Sequence, residues 1–454
     1  MKSFFRPLRG LLALGLAAAM LAPAAALAAY TPSFEPTAQG AYLINVDTNQ
    51  VIYEKNPDQQ YETGYLAKLM TALVTVDYME ENGLSLDDET ASLSLYIQNL
   101  VYGSANLGGI LQGEEVSIRG LLYSMLLQSA NEATLMLGDY VGDGSLGHFA
   151  DMMNDKAAQL GCTATSFADP AGFHDDDPAE SSWTTPRDMA IIFQAVMEND
   201  ILREMLQTRS YDIGPTNIHD TLNQFSYTNA MMSTSSEYYY APVEGGFISA
   251  VSGEEGAVVS MASSQGYNYL LVLLGIPAGE NTRDTLYRET TQLYQWAFDS
   301  FSVRTVMQKG EIMEEIPVRY SFETDYMPLE TAEDFMTLMP NEVDLTSIQY
   351  QYDLPEAIAA PVDKGVQAGW LRLYLADEEI GAVPLMTTRR VEASQILTAL
   401  GWVQAAVHTF WFKFVVLFVI TFIVLYSALL VQINKRKRRS GKFSRYNPNR
   451  ERYL

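Results

Sequence analysis

The twenty residues from Phe414 to Ile433 contain no charged side chain. At 1.5 Å of rise per residue such a run covers about 30 Å, the thickness of a bilayer's hydrocarbon core. It predicts a membrane-spanning helix, because flanking charges of this density do not suit a buried core helix. Trp411 and Phe412 stand at one border, where aromatic rings prefer the interface. The other border opens into NKRKRRSGKFSRYNPNRERYL, with nine Lys/Arg and one acid, and predicts a tail that stays cytoplasmic.

The opposite end is built for export. Residues 1–28 carry Lys2, Arg6 and Arg9, then an apolar run from Leu11 to Leu21, then small residues ending in Ala26 and Ala28. A basic start, an apolar middle and a small–x–small exit describe a secretory signal peptide cleaved after Ala28. The formal charge of −26 therefore hides a segregation. Residues 1–28 hold +3, residues 434–454 a net +8 and Lys413 +1, which leaves −38 on residues 29–412. So acidic an exported part is a poor partner for nucleic acid or anionic lipid, whereas the tail suits anionic lipid on the inner side.

Cys162 is the single cysteine, so no disulfide forms within the chain and no paired-cysteine metal site is possible. No two of His148, His174, His219 and His408 have the i, i+4 spacing of a helical metal site. His174 beside Asp175, Asp176 and Asp177 reads as a solvated loop. No metal and no cofactor is expected.

Between the two ends, AYLINVDTNQVIYEKN (41–56) predicts a hairpin: two β-rich runs around turn residues. Residues 65–82 and 118–139 have helical periodicity. A long loop then leads to a helix that Thr185 caps and Pro186 opens. Residues 257–275 predict a second apolar hairpin, with a helix from 282 to 300 behind it. Strands, many helices, then strands and a helix suit an α+β domain whose sheet uses both ends of the chain segment. From about Val303, short β-like runs separated by Pro, Gly and Asp predict a small all-β domain. The expected organisation is signal peptide 1–28, α+β domain 29–302, all-β domain 303–392, amphipathic juxtamembrane segment 393–412, spanning helix 413–433 and basic tail 434–454.

Four segments carry the chemistry. YETGYLAKLMTALV places Lys68 on a predicted helix. LLYSMLLQSANEATLMLGDYVG places Ser129 and Asn131 between two helical runs. TSFADPAGFHDDD…WTTPRDMA and VEGGFISAVSGEEGAVVSMAS follow. In this order and spacing the chain resembles the serine-type D-alanyl-D-alanine carboxypeptidases, the low-molecular-mass penicillin-binding proteins that trim peptidoglycan stem peptides. The resemblance covers about residues 33–392, with APVDKGVQAGWLRLYLADEEIGAVPL matching the family's second domain. It implies an antiparallel sheet flanked by helices, as in β-lactamases and transpeptidases, and it implies peptidoglycan stem peptides or cell-wall proteins as partners.

Active members carry S-x-x-K, S-x-N and K-T-G. In the first, residues three apart share a helix face, so the lysine can take the serine's proton as it attacks. Here the serine position is Tyr65 and the lysine is Lys68. A phenol oxygen lies ~5 Å beyond a serine hydroxyl, whereas reacting atoms must meet within ~3–3.5 Å. Thr63 is about 140° around the helix from Lys68 and does not substitute. The middle motif survives as Ser129 and Asn131, which in the family shuttle a proton and bind the substrate amide. The third is replaced: Phe247, Ile248 and Ser249 fall where lysine, threonine and glycine face the substrate's terminal carboxylate, and an unpaired carboxylate against apolar groups costs several kcal/mol. The expectation is a membrane-anchored exported homologue that is catalytically silent and acts as a binding or scaffold protein. The competing expectation is an active peptidase of altered nucleophile, resting on Lys68, Ser129 and Asn131.

Overall fold

The computed structural model of the chain describes residues 31–104, 106–173, 181–220, 224–226, 229–250 and 254–440. The signal-peptide segment 1–28, the loop at His174 and Asp175–Asp177, and residues 441–454 of the tail lie outside them. The chain divides into two compact units. The first runs to Val306 and takes in Met336–Gln349 and Leu373–Gly381; the second comprises Met307–Phe335, Tyr350–Arg372 and Ala382 onward.

The first unit is built on a five-stranded antiparallel sheet. Its strands are β1 (Gly40–Asn45), β2 (Gln50–Lys55), β5 (Val243–Ser249), β6 (Gly256–Ser264) and β7 (Tyr267–Ile276), in the order β2-β1-β7-β6-β5. Two further strands, β3 (Tyr61–Glu62) and β4 (Trp183–Thr184), pair with each other outside it. The two predicted hairpins, β1–β2 and β6–β7, meet because β1 pairs along β7. A strand alternates its side chains between faces, and β7 is apolar on both. Leu270, Val272 and Leu274 join the core on the helical side, while Tyr269, Leu271 and Leu273 join the core on the other.

The principal helices are α1 (Ala67–Glu81), α2 (Ile118–Gln128), α3 (Asn131–Val141), α4 (Leu146–Leu160), α5 (Pro186–Glu198) and α6 (Thr282–Ser300). Helix α1 is buried on nearly every side from Ala67 to Val76, as an almost uniformly apolar helix must be. It touches α2, α3, α4 and α5. Helix α5 starts where its sequence says: Thr185 Oγ1 accepts the Asp188 N–H at 3.1 Å, and Pro186 occupies the first turn. Helix α6 covers the second face of the sheet.

The second sheet contains antiparallel pairs and one parallel edge pair. Strands β8 (Ile312–Arg319), β9 (Tyr326–Thr331), β10 (Gln349–Asp353), β11 (Ile358–Ala359), β12 (Gln367–Leu375) and β13 (Glu378–Thr387) take the order β10-β12-β13-β9-β8-β11. Helix α7 (Gln395–His408) follows, and after Thr409 comes α8 (Phe410–Ser440). Residues Phe410–Arg436 of α8 are long and apolar enough to cross a bilayer, and none of their apolar core is buried by protein. The helix runs past both expected borders of the span, because neither Lys413 nor the basic residues after Ile433 disfavour helix.

Candidate active site

Lys68 lies in the first turn of α1, and Tyr65 in the single 3₁₀ turn Gly64–Leu66 that leads into it. That entry needs glycine. Gly64 has φ +48°, and a Cβ there would sit 2.6 Å from Ser249 Oγ. The Gly64 carbonyl in turn lies against Gly172, where a side chain would strike it. Thr63, the other hydroxyl in the segment, is turned away: it is buried and donates to the Ser182 carbonyl at 3.1 Å.

Ser129 and Asn131 reach Lys68 from the break between α2 and α3, where the sequence placed them between two helical runs. Ser129 ends α2 in the left-handed conformation, φ 55°, ψ 36°. Such a residue costs ~1–3 kcal/mol unless its surroundings hold it. Here they do. Lys68 Nζ donates to the Ser129 carbonyl at 2.6 Å, to Ser129 Oγ at 2.9 Å and to Asn131 Oδ1 at 2.7 Å. An ammonium has three hydrogens, and each has an acceptor. The Asn131 N–H donates to the Asn106 carbonyl at 2.9 Å, which fixes the start of α3.

The fourth side of the ammonium is closed by Tyr65. The ring, 9% exposed, has its centroid 4.0 Å from Lys68 Nζ, a cation–π contact. Its backbone N–H is also engaged, donating to Ser249 Oγ at 3.0 Å.

The edge strand β5 sorts the other three residues. Phe247 and Ser249 face α1: Phe247 packs in the same core as Tyr65, and Ser249 bonds it. Ile248 does not face the site. It lies between them on a strand of period two, and it packs in the opposite core with α6. Of the three residues expected at the carboxylate position, Phe247 and Ser249 lie on the α1 side of the strand and Ile248 on the other.

Two acids that motif reading passed over set the electrostatics. Glu132, 2% exposed, accepts from the Gly109 N–H at 2.9 Å. Asp169 accepts from the N–H groups of Ala171 at 2.7 Å, Gly172 at 2.9 Å and Phe173 at 3.1 Å. Burial draws Lys68 well below the usual lysine range, while the charges of Glu132 and Asp169 act in the other direction. Burial raises both carboxyls, against the backbone hydrogen bonds each accepts. The sequence signals were present: an acid directly after S-A-N, and an Asp-Pro-Ala-Gly turn whose carboxylate binds its own following N–H groups.

A buried lysine held by a Ser-x-Asn turn, beside a five-stranded sheet, has counterparts among known proteins. Residues 26–274, more than half of the chain, match the family described as D-alanyl-D-alanine carboxypeptidase. The chain belongs to this family. Residues 301–393 match the description penicillin-binding protein 5, C-terminal domain. The family acts on peptidoglycan stem peptides. The D-alanyl-D-alanine carboxypeptidase DacF of Bacillus subtilis (strain 168) is 21% identical over 367 residues, 80% of this chain and 88% of its own. DacC of Escherichia coli (strain K12) is 25% identical over 398 residues, 85% of this chain and 92% of its own. Among solved structures, the fold is shared with penicillin binding protein 5 from Haemophilus influenzae, at TM-score 0.59 and 21% identity over 80% of this chain and 99% of that one. It is also shared with DacD from Francisella tularensis, at TM-score 0.61 and 17% identity over 80% and 96%.

Proposed function

We propose that this chain is an exported, membrane-anchored member of the family that has lost acyl transfer and serves at the cell wall as a binding or scaffold protein. The observation that carries the reading is the occupied nucleophile position. Tyr65 supplies a ring against Lys68 where the family has a serine hydroxyl. All three Lys68 hydrogens are committed to Ser129 and Asn131.

Two further losses add to it. In serine hydrolases the nucleophile's own N–H helps hold the oxyanion, and here that N–H is bonded to Ser249. Removing one such donor costs ~10²–10³ in rate, and removing the nucleophile ~10⁶. Phe247 offers neither charge nor hydrogen bond to a terminal carboxylate.

The test is incubation of the full chain with a fluorescent penicillin. No covalent label is expected under conditions that label an active family member. The competing reading, an enzyme of altered nucleophile, is favoured by one distance, the 2.9 Å from Lys68 Nζ to Ser129 Oγ. Stoichiometric labelling that mass spectrometry places on Ser129 or Tyr65 establishes it and overturns the silent reading.

The same proposal sets the topology, with residues 29–412 outside the cell and 434–454 inside. It rests on the apolar span and the basic tail. Protease added to protoplasts is expected to remove the large domain and leave the tail. Protection of the whole domain refutes it.

A further inference from the structure

Helix α7 carries an apolar stripe that is open to its surroundings. Ile396, Leu400, Val403 and Val407 are between 40% and 66% exposed. Their spacing is four, three and four. At 3.6 residues per turn they fall within about 60° of one another around the helix. That is the narrow a/d seam of a coiled coil, not the wider stripe of a helix packed on a domain. Ile396, Leu400 and Val403 border one shallow apolar groove with Gln395 and Ala399.

The opposite face of α7 is taken by its own unit. The turn between β8 and β9 lies against it. The Ser394 N–H, just ahead of the helix, donates to the Tyr320 carbonyl at 2.7 Å. At Gly401 the Tyr320 ring comes so close that a Cβ would strike it. Gly401 lies about 100–160° around the helix from the four stripe residues. The turn therefore holds the stripe outward.

Charge decides what covers the stripe. A helix that lies on a membrane surface has a strongly charged polar face, and residues 393–412 hold no Asp, Glu, Lys or Arg. A second copy of the chain fits better. Residues 29–412 carry −38, and like charges repel across the ~8 Å Debye length of physiological salt. The charge-free segment lets two copies touch without setting acid against acid. Only Thr409 separates α7 from α8, so copies anchored through α8 present their α7 helices parallel and in one register. Two heptads are few for a free coiled coil, and confinement to one membrane compensates by raising the effective concentration.

We infer that α7 is the seam of a parallel homodimer, in which Leu400 and Val403 of one copy meet the same residues of the second. The inference rests on the reading that α8 crosses the membrane.

The test uses the full-length chain in phosphatidylcholine vesicles at low density, oxidised with copper phenanthroline. Leu400→Cys and Val403→Cys are expected to form disulfide dimers at least about ten-fold faster than Trp402→Cys, which is as exposed but lies about 100° around the helix from Val403. Cys162 is buried, stays in place and is expected to give no dimer by itself. Leu400→Glu and Leu400→Lys, each combined with Val403→Cys, are expected to lose cross-linking about ten-fold; an equal mixture of the two is expected to regain it as a heterodimer, identified by a size tag on one copy. A helix lying in the lipid surface gives no rescue on mixing, and a bimane on Leu400→Cys is then quenched by shallow spin-labelled lipid. That result, equal cross-linking at all three positions, or none at any, overturns the inference. The anchor is scored separately, by quenching of a bimane on Ile420→Cys with lipid spin-labelled at mid-chain. Quenching there without seam cross-linking overturns the inference alone; seam cross-linking without that quenching upholds the seam and overturns the anchor. Because the side chains changed on α7 are exposed, the variants are expected to keep the parent's thermal midpoint, which separates lost association from lost fold.

Discussion

Replacing Lys68 by methionine keeps the volume of the side chain and removes its three donors. The structure sets the cost. The Ser129 carbonyl, Ser129 Oγ and Asn131 Oδ1 all receive hydrogens from Lys68. Both residues are under a tenth exposed, so water cannot take over. In the variant the Ser129 hydroxyl can turn to donate to Asn131 Oδ1, which leaves about two acceptors worse off, at ~1–3 kcal/mol each. The cation–π contact with Tyr65 is lost as well, worth up to ~2 kcal/mol when desolvated. Against this, the variant no longer buries an ammonium, the same burial that depresses the lysine's pKa. A net loss of about 2–4 kcal/mol follows, or ~4–16 °C in thermal midpoint at ~2–4 °C per kcal/mol for a large domain. The pH dependence gives a second handle. A lysine whose folded pKa lies below its unfolded value, near 10.5, adds stability that is fully present above 10.5 and is lost as pH falls through the folded value. The parent's advantage over Lys68→Met should therefore grow as pH is raised towards 10.5. Urea unfolding of both proteins across that range is the assay. A variant as stable as the parent, or an advantage that shrinks with rising pH, would refute the argument that Lys68 holds the turn together.

Three further outcomes are expected. Tyr65→Ser alone should release no D-alanine from a diacetylated tripeptide above background, since Phe247 still faces the site and Ser249 still bonds the backbone N–H of residue 65. Release at the rate of an active family member would show that neither matters. Gly64→Ala should cost about 1–3 kcal/mol by urea titration, because φ is +48° and the new Cβ meets Ser249 Oγ. Adding Ser249→Gly should return only the steric part of that loss. Glu114 is fully buried, and burial pushes its carboxyl up. Hydrogen bonds from His219, the Leu111 N–H and Thr216 outweigh that and bring it below 4.5. Its contribution is present above 4.5 and lost as pH falls through the folded value, so the stability gap between the parent and Glu114→Gln should narrow under acid; a gap constant with pH excludes the carboxylate as its source.

Much of this protein is written locally, and those parts were legible. The absence of charge from Phe414 to Ile433 predicts a helix long and apolar enough to cross a bilayer, and α8 is such a helix. Thr185 and Pro186 fix a helix start through two adjacent residues. The two hairpins announce themselves by composition, and Tyr65 stands three residues before Lys68, the spacing of S-x-x-K. What the tertiary structure decided depends on residues far apart in the chain. Tyr65 meets Ser249 across 184 positions, and Lys68 meets Ser129 across 61. No local periodicity records either contact. The left-handed Ser129 is the clearest case. Serine has no strong preference for that conformation, so no local signal records it; Lys68 holds it through both the carbonyl and the hydroxyl. The sides taken by Phe247 and Ile248 follow the same logic. Alternation along a strand guarantees that they point apart, but only the pairing of β5 with β6, and the helices on either face of the sheet, decides which of the two packs in the core with α1.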